Sequence, residues 1–233
     1  MAGSKAKIIS CLEVHRSNDL QEQMRLFYLK NVLKYIGSIY NEEMFGLLLG
    51  YLSMEIKENL LKDSLVFAKR MKLDVKFIEE CYRDGSSDLR ETLTDLFRKW
   101  QLRKKFQHVC TIELEKIRIT EERLDDLLRK RLSEIQTMFT LADLEAEILL
   151  LYYHVETDGA VNELVDVVNS FLATKITRYV NNLSVAAIAM MLGVQKSRVH
   201  RTLQNSAPLV RFAILDSDRD ITPEIMQYLE GFS

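Results

Sequence analysis

The stretch LSVAAIAMMLGVQKSRVHRTLQ, residues 183–204, decides how the chain is read. It spells two short helices on either side of a glycine. Ile188, Ala189 and Leu192 have the spacing of an inward face on the first helix, and Ala189 is small where a second helix would cross close to it. Gly193 stands where the turn needs a backbone that tolerates positive φ. Val194 and Val199 are placed to plug the gap between the helices. Ser197 can satisfy amides near the start of the second helix, which begins at Gln195 or Lys196. This order predicts a helix-turn-helix with Gln195, Lys196, Arg198, His200 and Arg201 on its outward face. Gln and Arg can read base edges bidentately, while Lys and Arg also hold phosphates.

Working outward, the charge pattern reinforces this reading. Residues 167–215 contain no Asp or Glu, although 34 acidic residues in 233 would place about seven in a stretch of that length. The same window carries Lys175, Arg178, Lys196, Arg198, Arg201 and Arg211, so the remainder of a chain with net charge −2 holds −8. A positive face on an acidic body is the footprint of nucleic-acid contact. Downstream, LVRFAIL at 209–215 reads as a strand, followed by a polar turn from Asp216 to Asp220. Thr222-Pro223-Glu224 then opens a last helix, with threonine at the N-cap and proline at the first helical position. Helix, turn, helix and a short β-wing make a winged helix-turn-helix with its core at 183–221.

Upstream, only 8 Gly and 2 Pro in the whole chain favour long elements with few turns, hence an all-α architecture. A helix is expected from Ser17 or Asn18 to Gly37, a second from Asn41 to Asn59, and shorter ones at 62–72 and 75–83. A longer helix after Ser87 holds Leu93, Phe97 and Trp100, and 109–118 forms a short helix or an irregular segment. Thr120 opens a charged helix whose Leu124, Leu127, Leu128, Leu132, Ile135 and Met138 draw an apolar stripe. Thr140 with Asp143 has the form of a capping box that launches LADLEAEILLLYYHV. A helical interaction domain over 1–118 and a helical domain with the winged helix over 119–233 are therefore expected.

Two family resemblances bear on function. FTLADLEAEILLLYYHV, LSVAAIAMMLGVQKSRVHRTL, NSAPLVRFAILDSD and DITPEIMQYLEGF, in that order over 139–232, resemble the region that precedes the ATPase module in a group of bacterial AAA+ ATPases. Phe212-Ala213 stands where that family usually has glycine. No G-x-x-x-x-G-K-[ST] phosphate loop occurs, so the resemblance implies a regulatory or substrate-recruiting front end without ATP hydrolysis of its own. More weakly, residues 65–101 are similar to the middle helices of a death-fold domain, through Leu73, Ile78, Asp88-Leu89-Arg90 and Trp100. That resemblance implies a core tryptophan and self-association or partner binding through charged helix faces. A plain helical bundle is the alternative.

Catalytic chemistry finds little footing. His15, His108, His154 and His200 are scattered and follow no metal-ligand spacing. No nucleophile elbow, zincin motif or glycine-rich loop is present, and Cys81 and Cys110 lie on apolar stretches. Free thiols at Cys11, Cys81 and Cys110 suit a reducing, cytoplasmic compartment, and no apolar run is long enough to span a bilayer. Arg98-Lys99 and Arg103-Lys104-Lys105 form a further basic cluster around Trp100, read as a solvated face, with a second phosphate-facing strip or an acidic-partner surface as the alternatives. The expectation is a non-enzyme with no metal, cofactor or membrane, binding double-stranded DNA. Its rival is a protein-interaction adaptor or scaffold in which the N-terminal helices bind partners or self-associate and the winged helix only packs.

Overall fold

Six successive residues of the decisive stretch, Ala187 to Leu192, are buried, and the rest of the fold is arranged to cover them. The structure is a computed structural model and describes residues 20–36, 42–50, 52, 54–70, 76, 79, 89–98, 100–116, 126–173 and 183–231. The first five helices are α1 (Leu20–Ile36), α2 (Glu42–Gly50), α3 (Met54–Arg70), α4 (Leu89–Arg98) and α5 (Trp100–Lys116). They are followed by α6 (Asp126–Phe139), α7 (Asp143–Thr157), α8 (Gly159–Ala173), α9 (Val185–Leu192), α10 (Lys196–Thr202), α11 (Pro208–Arg211) and α12 (Pro223–Glu230). Among the described residues the only β pairing is an isolated antiparallel bridge between Leu215 and Ile221. The protein is all-α.

Helices α2 to α5 pack around α4. Their centre is an aromatic stack: Phe45 lies 4.3 Å from Phe97 and 5.3 Å from Phe106, ring centre to ring centre. The Arg103 guanidinium caps it, 5.0 Å from the Phe97 ring centre. Helices α1, α6, α9, α10 and α11 pack on α7 or α8, which are joined by a single residue, Asp158, and α12 packs on α6. Its N–H returns to the His154 carbonyl at 2.8 Å, ending α7, and its carboxylate accepts the Ala160 N–H at 3.0 Å, opening α8.

Helix α1 falls within residues 1–118 yet packs on α8 and α9. Arg25 Nε lies 2.6 Å from the Asp158 carboxylate, the Tyr28 hydroxyl hydrogen-bonds with His154 Nδ1 at 3.1 Å, and Asn31 Nδ2 donates to the Met191 carbonyl at 2.9 Å. These contacts span more than 120 positions of sequence, and α2 also meets α8, so the apolar core runs through both halves of the chain.

Several expected elements are corrected. The single helix over 41–59 breaks after Gly50, where the Leu52 N–H returns to Leu49 O, and α3 absorbs the helix expected at 62–72. Most of 75–83 lies outside the described residues. The segment 109–116 continues α5 without interruption. Thr140 is not an N-cap: it sits at φ 54 after α6, and α7 is capped at Ala142, whose N–H donates to the Glu145 carboxylate at 2.8 Å. Helix α8 has no counterpart among the expected elements. Its valines and leading glycine weaken local helix propensity, and burial of Val161, Val165 and Val168 overrides it.

The strand expected at 209–215 is replaced by the helical turn α11. Pro208 at the first helical position is pre-set for that turn, and the Arg211 N–H closes on Ala207 O at 2.8 Å. Only Leu215 pairs, across the turn in which the Asp216 carboxylate accepts the N–H groups of Asp218 and Asp220. Thr222 does cap α12 with Pro223 following, although its hydroxyl donates to Ala213 O instead of accepting from the helix. In the α6 stripe, Leu128, Leu132 and Ile135 are buried while Leu127 and Met138 face solvent; Leu124 lies outside the described residues.

The α1 joint gives the fold a pH dependence. Burial lowers the His154 pKa from 6.5 to about 4, with the Asp158 carboxylate opposing and Arg25 assisting that shift. The unfolded chain takes up this proton near its ordinary pKa while the folded chain resists, so stability present above that pKa is lost as pH falls through the window. Folding free energy should drop by about 2 kcal/mol from this residue between about pH 7 and about pH 5. Urea titrations at both pH values should show that drop, and His154→Gln should flatten it.

Candidate nucleic-acid interface

Helix α9 and the turn after it position the five side chains expected to face outward. Ser184 caps it, accepting the Ala187 N–H at 3.1 Å, and Gly193 ends it at φ 68. The Val194 N–H then returns to Ala189 O at 3.0 Å, and Gln195 in extended conformation leads into α10. On α10, Val199 is buried and, with Leu203 just beyond its end, seats the helix against α9 and α7.

The five predicted side chains, Gln195, Lys196, Arg198, His200 and Arg201, are all exposed. Among the described residues none of them makes a hydrogen bond or ion pair through its side chain. They do not share one face. At 3.6 residues per turn, Arg198 and His200 lie about 100° to either side of Val199, and Arg201 points almost directly away from it. Lys196 lies on the His200 side. The helix is therefore cationic on its crest and both flanks.

Arg198 and Arg201 are brought together in a shallow groove of about 380 Å³, along with Thr202 and the flanking Ala207 and Pro208. The opposite wall is the start of α7, with Ala142, Leu144 and the buried Glu145. The Glu145 carboxylate accepts the Ala142 N–H at 2.8 Å, closing the first turn of α7 at that wall. Lys196 and His200 do not line this groove.

Other cations of the basic window are placed differently. Arg211 is exposed and lies 4.4 Å over the Phe212 ring, which in turn packs on Phe139. Lys175 and Arg178 lie outside the described residues. Two contributors were missed in the sequence. Arg219 adds an exposed cation at φ 68 on the Asp216–Asp220 turn, outside the acid-free window. Asn31 braces Gly193 from α1, with no local sequence signal to reveal it.

Among the described residues no group of three or more His, Cys, Asp or Glu is placed to hold a metal ion, and no helix is long and apolar enough to cross a membrane. Comparison with protein-family models, curated proteins and solved structures finds no match for this chain.

Gly193 is a direct test of how the interface is held. A Cβ there would stand 2.9 Å from Asn31 Oδ1, on a backbone at φ 68. Gly193→Ala should cost about 1–2 kcal/mol for the left-handed backbone alone, plus the displacement of Asn31. A thermal melt should show the loss, and adding Asn31→Ala should recover only the steric part.

Proposed function

We propose that the chain is a non-enzymatic recognition module that binds double-stranded DNA through α10, used as the second helix of a helix-turn-helix. The observation that supports this reading most is the exposure of Gln195, Lys196, Arg198, His200 and Arg201 on a helix anchored by Val199. A helix lying in a major groove has a phosphate strand on each flank and base edges under its crest. Arg198 on one flank and Lys196 with His200 on the other match the two strands. Arg201 and Gln195 are assigned to base edges or to the phosphates beside them. The turn from Asp216 to Asp220 is the wing in this reading, carrying Arg219 toward the backbone.

The resemblance of 139–232 to the region before the ATPase module of bacterial AAA+ proteins extends the proposal. DNA or substrate recruitment would then be coupled to an ATPase supplied separately, and a cytoplasmic location belongs to the same reading. The second reading, a protein-interaction adaptor, is favoured by Tyr35, Met54 and Val66, large apolar side chains exposed on α1 and α3. In that reading the N-terminal helices bind a partner or a second copy.

Fluorescence anisotropy with a labelled duplex distinguishes them. With Lys196, Arg198, Arg201 and Arg219 neutralising phosphates, the slope of log affinity against log salt should be about −4, a loss of about 10²-fold between about 50 and 200 mM salt. Lys196→Glu and Arg201→Glu should each weaken binding and reduce the slope by about 1 or more. Unchanged affinity and slope in the double variant would sink the DNA reading and move attention to the N-terminal helices.

A further inference from the structure

The cleft of about 280 Å³ where α1, α6, α7 and the end of α9 converge selects no ligand, because the charged groups at its mouth are already engaged. Gln136 holds Asp143, and Arg129 and Glu147 interact within the chain. The groove beside α10 is different. Arg198 and Arg201 line it one turn apart, both exposed, and among the described residues neither side chain has a hydrogen bond or ion pair. The one carboxylate that lines it, Glu145, is buried at the far wall. The rim of the groove is therefore cationic.

Where the groove ends, an aromatic begins. Ala207 and Pro208 close the groove, and each is bonded to a residue one turn further on. The Arg211 N–H donates to Ala207 O at 2.8 Å and the Phe212 N–H to Pro208 O at 3.0 Å. Residues four apart on a helical turn share a face, so Arg211 and Phe212 continue the line of the groove about 6 Å beyond it. There Phe212 is 42% exposed, with the Arg211 guanidinium 4.4 Å over its ring and Phe139 packed against it at 5.6 Å. The turn that follows is fixed in place: Ala213 takes a positive φ of 52, and its carbonyl accepts the Thr222 hydroxyl at 3.1 Å.

A fully paired duplex has nothing to set against such a ring. Its outward groups are phosphates and sugars, and the flat faces of its bases are hidden in the stack. An unpaired base exposes its face, and aromatic rings and guanidinium planes are the surfaces on which such bases stack. Two free arginines leading to a cation-capped ring match the order of contacts that a strand leaving a duplex offers, phosphates first and then a base.

We propose that Phe212 and Arg211 form a stacking platform for the first unpaired base of a duplex that ends in a single-stranded tail. Arg198 and Arg201 hold the phosphates of that same strand as it crosses the groove. The inference rests on the reading of α10 as a duplex-binding helix, and adds to it a preference for junctions between paired and unpaired DNA.

Fluorescence anisotropy of the full chain tests it on three labelled DNAs: a blunt duplex, the same duplex with a short thymidine tail, and the duplex with an abasic tail of equal length. Each tail is placed on a 5′ end and on a 3′ end. With one polarity, the thymidine tail should bind about tenfold tighter than the blunt duplex, as stacking of one base predicts. The abasic tail keeps the phosphates without the base faces and should stay within about threefold of the blunt duplex. Phe212→Ala should remove the thymidine gain and leave blunt-duplex affinity unchanged, while Phe212→Tyr should keep the gain. Arg211→Lys retains the charge and loses the plane, so it should cut the gain, and it decides the matter if F212A fails to fold. Equal affinity for blunt and thymidine-tailed duplexes, equal gains from thymidine and abasic tails, or a full gain in F212A or R211K overturns this inference and leaves the duplex reading standing. Binding of none of the DNAs overturns both.

Discussion

An eight-residue helix does not hold together alone in water, because so few hydrogen bonds cannot repay its nucleation. Helix α9 exists because Ala187 to Leu192 are buried in succession, leaving no solvated face along that run. Helix α10 covers one side and α1 another, with α7 and α8 closing the remainder. The turn at Gly193 is therefore held from both directions. Any change that loosens α1 acts on the orientation of α10, although the two helices are far apart in sequence.

The joint around Asp158 carries that dependence further. Asp158, His154 and Tyr28 bury polar groups, where each needs a partner, and the partly exposed Arg25 reaches in to the Asp158 carboxylate. Such a cluster adds little net stability compared with apolar packing, since desolvating the charges offsets much of their attraction. What it contributes is register: α1 can slide along α8 only by leaving a buried carboxylate or a buried imidazole unpaired. The same burial holds His154 neutral across the neutral pH range.

Around this frame two surface features differ in kind. The α10 crest and flanks present cations that no other described residue neutralises, which is the arrangement the proposed DNA contact needs. The cleft at the α1–α6–α7 junction is different in kind, small, apolar at its base and charged at its mouth. The cleft takes Leu192 from the end of α9, and α10 packs directly against that same helix.

The sequence by itself determined the local pieces. Alternating small, branched and glycine residues at 183–204 identified α9, the turn and α10, and the inward Val199 left Gln195, Lys196, Arg198, His200 and Arg201 to face solvent. Proline after threonine marked the start of α12. These features are legible because a helix repeat, a cap and a positive-φ glycine are set by neighbours a few residues apart. Tertiary structure decided the rest. It made a helix of the valine-rich α8, turned 208–211 into a helical turn instead of a strand, and moved the cap of α7 from Thr140 to Ala142. It also laid α1 against α9 and set the start of α7 opposite Arg198 and Arg201 as the far wall of their groove. Periodicity says which side of an element is apolar, but burial against a particular partner is a global property of packing, and no local pattern encodes which partner that will be.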